Sequence, residues 1–367
     1  MTQVHLQPWI LQLALWLMLG VAVVLLLIIA FARLTRRRRT RRQSGELRTL
    51  RRDILEVASG DDEEGAARRR LDTLPPRLFR AVLPTLIGLL SKVRGAPARA
   101  IVTILIAHGA VTLALNDLTA RSGTRRAQSA WMLGLMRRDR SVHRVIPLLE
   151  DRDRGAAVTA ARSLGMLGDP RAASPLVEAL QPGARGRGGL PSWVVVEALV
   201  GLGPGAATEI GDALHREDPT TRAAAALALG LGQHVSQLPR VRELVEHERS
   251  PDVLAAAAEA IGQLGSLQDV DALTRLSGVD FPRAVRSAAL RSLGEIGGAP
   301  ARDVLSGLLA DEDPRIGDLA AEQLCQQGTP GLEVLRGLAQ GAGAQGASAR
   351  YGLMVDSLRR DRPLEMA

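Results

Sequence analysis

Cysteine is nearly missing from this chain: of 367 residues, only Cys325 carries a thiol. A single cysteine cannot close an intrachain disulfide or build a cysteine-based zinc cluster, which excludes small stapled scaffolds. Aromatic residues are almost as scarce, at 2 %. A core without rings must be filled by small and branched aliphatic side chains. Closely packed helices accept that filling, whereas sandwiches and barrels draw on β-branched and aromatic residues. Lysine occurs once, at Lys92, and arginine supplies the rest of the positive charge. Together with abundant Ala and Gly, this composition is that expected of a GC-rich bacterial genome.

Apolar residues make up 46 % of the chain, and the formal net charge is +8. That charge is local. Between Arg33 and Arg52 there are ten arginines and one acid, Glu46, so this stretch is +9 and the remainder sums to 8 − 9 = −1. A near-neutral body with few rings lacks the basic groove and stacking groups of a nucleic-acid binder, and no nucleic-acid partner is expected.

Trp9 to Ala32 is an uncharged apolar run of 24 residues in which Gln12 is the only strongly polar side chain. As a helix it extends roughly 36 Å, enough to cross a hydrocarbon core of about 30 Å with some tilt. Ala30-Phe31-Ala32 spells a signal-cleavage site, but no Lys or Arg precedes Trp9 and the run is long for a signal peptide. A membrane anchor over 9–32 is therefore the expectation. Arg33, Arg36, Arg37, Arg38, Arg39, Arg41 and Arg42 flank it. They predict an external N-terminus and a cytoplasmic body at the inner membrane, and they suit anionic lipid headgroups.

Residues 33–75 read as a basic juxtamembrane segment and linker with a short helix, broken at Ser59–Gly65 and at Pro75-Pro76. Ala100 to Leu115 is a second apolar run. At 16 residues it is short for a crossing, and a buried helical pair turning at His108-Gly109 is favoured, a second membrane segment being the alternative.

From there the sequence repeats. A small residue ending a Leu-Gly or equivalent pair recurs at Gly134, Gly165, Gly201, Gly230, Gly262, Gly294 and Cys325, at intervals of 31, 36, 29, 32, 32 and 31. The longest interval holds the insertion Pro182–Gly189. Val285, Ala288, Ala289, Leu290 and Leu293 form one helical stripe, and Val304, Leu305, Leu308 and Leu309 a second. Stripes of this kind require burial on both sides of a helix pair. Asp218-Pro219 and Asp313-Pro314 suit an N-cap followed by proline in the first turn.

The stretch RSAALRSLGEIG from Arg286 to Gly297, matched more loosely around Arg126, Arg222 and Val253, resembles the HEAT-like repeats of phycobilisome lyases. The resemblance covers roughly 122–340. It implies an all-α fold: an α-solenoid of HEAT-like helix pairs over 76–358, preceded by a single transmembrane helix and followed by a tail over 359–367. Proteins with such repeats include scaffolds and chromophore lyases, so the fold leaves function open.

No catalytic, cofactor-binding or metal-ligating constellation is expected. His5, His108, His143, His215, His234 and His247 have no ligand spacing, and Asp61 to Glu64 read as a solvated run. Asp151, Asp153, Asp311, Glu312 and Asp313 sit at repeat junctions, where helix capping accounts for them. Cys325 reads as a buried small residue. The chain thus reads as a protein-binding scaffold, with a lyase-like enzyme or enzyme subunit using the solenoid groove as the alternative. The expected client is an envelope protein, a membrane glycosyltransferase being one candidate. The binding surface is expected on the second helix of each pair, through Arg144, Glu178, Arg240, Arg242, Thr274, Arg275 and Arg302. These side chains are expected to face solvent and, being mostly positive, to suit an acidic segment.

Overall fold

The computed structural model describes residues 50–62, 64–137, 139–182 and 188–360. The apolar run 9–32 and the arginines Arg33 to Arg42 lie outside the described residues. Among the described residues there is no strand, and no single helix is long and apolar enough to cross a membrane. The chain divides into two compact units, one up to Ala110 and one from Val111 onward.

In the first unit the helices are α1 (residues 50–59), α2 (Ala66–Asp72), α3 (Pro76–Leu90) and α4 (Gly95–Ala107). The segment 50–72, expected as part of a linker, is mostly helical and buries Leu50, Ile54, Val57, Ala67 and Leu71. Asp62, expected in a solvated run, accepts the N–H groups of Ala67 and Arg68 at 3.0 and 2.9 Å and so satisfies the open first turn of α2. Arg70 donates to the buried Asp53 at 2.7 Å and ties α2 to α1. The second apolar run breaks at His108-Gly109, with Gly109 at φ 69°, a conformation glycine adopts without strain. Its residues Ile101, Ile104 and Leu105 are fully buried. The His108 ring stacks on Phe79 at 4.1 Å, and its Nε2 lies 2.8 Å from the Leu71 carbonyl oxygen, so it is a core partner.

The second unit contains most of α5 (Ala110–Asp117), followed by helix pairs. The first helices of the pairs are α6 (Gly123–Leu135), α8 (Arg154–Leu167), α10 (Ser192–Gly201), α12 (Pro219–Leu231), α14 (Pro251–Leu264), α16 (Arg283–Ile296) and α18 (Pro314–Gln326). Their second helices are α7 (Val142–Val145), α9 (Ala173–Glu178), α11 (Ala207–Asp212), α13 (Leu238–His247), α15 (Val270–Leu276), α17 (Gly298–Leu308) and α19 (Thr329–Leu338). The described chain ends in α20 (Gly343–Arg360). Even-numbered helices stack on one another in sequence order, and each odd-numbered helix packs chiefly against the even-numbered helix that follows it. This nearest-neighbour plan defines a solenoid. Asp153, Asp218 and Asp313 cap α8, α12 and α18, and Pro219 and Pro314 occupy the first turns as expected.

The recurring small residue has a packing cause. A Cβ at Gly165 would lie 2.8 Å from the Cα of Ala198 on α10, and one at Gly230 would lie 2.8 Å from the Cα of Ala260 on α14. At these two slots successive even helices touch backbone to backbone, whereas at Gly262 and Gly294 the close neighbours are the Ser292 and Gln323 side chains. In the last slot the arrangement is reversed. Cys325 supplies the side chain, its Sγ donating to the Gly352 carbonyl at 3.2 Å, and the glycine stands on α20.

Because Gly165 contacts backbone, Gly165→Val is expected to cost at least about 1–3 kcal/mol, the range for an overpacked core. Gly307 has nothing within 4 Å of its missing Cβ. Gly307→Ala on α17 is expected to be neutral or stabilising by up to about 1 kcal/mol. Thermal midpoints of the two purified variants against the parent chain check both signs.

Candidate protein-interaction surface

All seven residues expected to bind a partner stand on odd-numbered helices, but they differ in what they touch. Arg144, Glu178 and Arg275 are exposed and make no ion pair with another described residue. Thr274 is half-buried and donates back to the Val270 carbonyl at 2.7 Å. Arg240 donates to Asp212 at 2.7 Å, which joins α13 to α11. Arg242 places Nε at 2.6 Å and Nη2 at 2.9 Å from the two carboxylate oxygens of Asp269. Arg302 reaches toward Gln327 at 3.4 Å.

Of the seven positions expected to face solvent, Arg144, Glu178 and Arg275 are exposed, whereas Arg240, Arg242, Thr274 and Arg302 are half-buried. Asp269 is 3 % exposed and also accepts the Ser266 N–H at 2.9 Å at the entry to α15. Burial would raise its carboxyl pKa, but the hydrogen bonds from Arg242 and Ser266 and the arginine charge outweigh it and hold it below the ordinary value. Arg242 is thus a tie between neighbouring repeats. Removing it strands a buried carboxylate, whereas Arg275 is a free side chain.

Between α13 and α15 a cleft of about 330 Å³ brings Arg242 and Arg275 together, with Val245 and Ile261 as apolar lining. Glu246 and Asp271 line the same cleft and make no ion pair with another described residue. Once Arg240 and Arg242 are committed, the exposed charges on the odd helices without an ion pair to another described residue are Arg144, Arg275 and Arg336 beside Glu178, Glu209, Glu243, Glu246, Asp271, Asp303 and Glu333.

The junctions between repeats hold a set of contacts that sequence reasoning missed. Arg126 on α6 makes a two-pronged bond to Asp151 at 2.6 and 2.5 Å, and its Nη1 donates to the carbonyls of Ala120 and Arg121. Arg222 on α12 does the same to Glu248 at 2.7 and 3.1 Å and to the carbonyls of Arg216 and Glu217. Arg286 on α16 pairs with Asp311 and donates to the Ser277 carbonyl at 2.8 Å. Each arginine clamps the loop before its first helix to the loop after its second. Burial would raise the Asp151 carboxyl, but Arg126 and the Asp153 N–H lower it further than burial lifts it. Asp151 and Asp311, expected as caps, serve the clamps; Asp153 and Asp313 do the capping. The signal was present as an Arg-to-Asp interval of 25 residues in two repeats.

This arrangement is an α-solenoid of HEAT-like repeats with a charged face on its second helices. The HEAT repeats family matches residues 111–187 and 207–282, and the PBS lyase HEAT-like repeat matches 285–311. No match was found among curated proteins. Solved structures with detectable likeness include the CpcE–CpcF complex of phycocyanin lyase from a Nostoc species, at 23 % identity and TM-score 0.33, covering 67 % of this chain and 94 % of that one. Human deoxyhypusine hydroxylase is similar at 16 % identity and TM-score 0.30, covering 77 % and 98 %. Importin beta is similar at 14 % identity and TM-score 0.42, covering 86 % and 47 %. Likeness at this level carries no argument about activity or partner.

Arg286 and Asp311 are both buried, so Arg286→Ala is expected to cost about 3–5 kcal/mol by leaving a carboxylate unpaired. Arg144→Ala is expected to stay within about 0.5 kcal/mol. Denaturant titration followed by circular dichroism separates the two. A pH effect is also expected from His234, which is buried with no hydrogen-bond partner at Nε2 among the described residues. Burial lowers its pKa from the ordinary 6.5. The folded state then binds fewer protons than the unfolded state, so stability is complete above about 6.5 and declines as pH falls below it. Carboxylates with lowered pKa, such as Asp269, lose their contribution only in stronger acid. His234→Leu should flatten the slope of thermal midpoint between about pH 7 and pH 5.5 and leave the strong-acid limb in place.

Proposed function

We propose that the chain is a membrane-tethered scaffold whose odd-helix face binds a protein partner. The observation that carries the binding part is the α13–α15 cleft: an apolar floor rimmed by Arg275, Glu246 and Asp271, charges that no other described residue neutralises. Interfaces of this kind use apolar anchors inside a polar rim and select partners by charge complementarity. The tether rests on the sequence of 9–32 and the arginines that follow it, which favour an external N-terminus and a cytoplasmic repeat array. The arginine cluster adds attraction to anionic headgroups. A client in the bacterial envelope, a membrane glycosyltransferase among the candidates, fits a scaffold held at that surface.

Crosslinking in native membranes followed by mass spectrometry tests the binding part. The double variant Arg144→Glu, Arg275→Glu is expected to keep its thermal midpoint, since both side chains are exposed and unpaired, while partner recovery falls. If recovery is unchanged and substitutions at Arg162 and Arg291 on the even helices abolish it, the surface is assigned to the wrong face. A phosphatase fused after Ala367 tests the orientation. It is expected to be inactive outside the membrane, and strong external activity would refute the tether as drawn.

A further inference from the structure

The clamp arginine occupies one fixed place, the eighth residue before the slot glycine: Arg126 before Gly134, Arg222 before Gly230 and Arg286 before Gly294. The same count lands on Ala157 in α8, Trp193 in α10, Leu254 in α14 and Gly317 in α18. Two of these four positions leave no room, and a third carries a large side chain engaged elsewhere. Leu254 is buried and fills its own place. A Cβ at Gly317 would already meet the Ser348 Oγ at 2.8 Å. Trp193 is 61 % exposed and lies against the Arg162 guanidinium.

Ala157 is different. Its side chain ends at Cβ, and beside it opens a cavity of about 630 Å³, within the range that holds small ligands and peptide side chains. Its walls match the clamp. In α6 and α12 the arginine donates to the carbonyls of the residues six and five places earlier. From Ala157 those places are Asp151 and Arg152, and both line the cavity. Where the clamped repeats carry an acid 25 or 26 residues after the arginine, this repeat has Pro182 and Gly183, which supply no carboxylate. Glu178 lines the cavity instead, exposed and without an ion pair to another described residue. Ile146, Leu149 and Leu190 give the same space an apolar wall.

We propose that this cavity is a docking slot for an arginine side chain carried by a partner segment. That arginine takes the place the chain's own arginine holds in the three clamped repeats. The planar guanidinium offers several donors at fixed angles, which suits a site framed by the junction backbone and lined by the acids Glu150, Asp151 and Glu178 as well as by Arg152 and Arg154, and lysine lacks that fork. Apolar residues flanking the arginine rest on Ile146 and Leu190. This inference rests on the scaffold reading and specifies one feature of the partner. Its test uses small probes, so its failure leaves the membrane-crosslinking result to stand or fall separately.

The purified full chain is titrated with the blocked tripeptides Leu-Arg-Leu and Leu-Lys-Leu, with binding read by calorimetry. The arginine peptide is expected to bind at least about tenfold more tightly, a difference of about 1.4 kcal/mol. Glu178→Gln is expected to weaken it several-fold. Ala157→Arg fills the slot from within and should abolish binding at unchanged helicity, and Ala157→Met serves where the arginine variant fails to fold. Equal affinity for the two peptides overturns the proposal, as does binding that survives in the folded Ala157 variants. Binding that appears only after Arg185 and Arg187 are both replaced by Gln also overturns it, because the chain would then be filling its own slot.

Discussion

Backbone contact between successive even-numbered helices sets the geometry of the second unit. At Gly165 and Gly230 the neighbouring helix approaches so closely that no Cβ fits, and everything else adapts to that spacing. Alanines around the contact, such as Ala224 to Ala226 and Ala256 to Ala258, keep the adjoining surface low. The aliphatic side chains that remain fill the layer between even and odd helices, which is why so few rings suffice. Glycine inside a helix weakens it by about 0.5–1 kcal/mol relative to alanine. Here that loss is offset by the apolar area each contact removes from water, at roughly 25 cal/mol per Å².

The architecture was legible because its cause is periodic. A close contact repeated once per helix pair leaves a small residue about every 31 positions, and a pattern that regular survives the loss of any one repeat. The replacement of glycine by Cys325 is visible in sequence, but its compensation by Gly352 on the next helix requires the packing. The helical content of 50–72 was underestimated because its polar and glycine-rich breaks resemble a linker; Asp62 turns one of those breaks into a helix start.

The candidate surface was legible only in part. Helical phase placed the seven residues on the second helices, and the structure keeps them there. Phase does not say which charge meets another across a junction. Arg242 and Arg275 lie on neighbouring odd helices, yet one holds a buried carboxylate and the other is free. The clamps escaped for a related reason. Arg126 and Asp151 are 25 residues apart, beyond the reach of any local rule, and each alone looks like an ordinary surface arginine or helix cap.

The clamps are also unevenly spaced. Among the described helix pairs they fall in the first, fourth and sixth, leaving the second and third, the fifth and the seventh without one. A linear array draws its stiffness from each joint in turn, so it behaves as a beam whose compliance varies along its length. The longest run without a clamp spans α8 to α11 and contains the insertion Pro182–Gly189. There the even helices are joined by the Gly165 backbone contact and the exposed Arg162–Glu197 pair at 3.2 Å, so that joint lacks the buried two-pronged tie that holds its clamped neighbours.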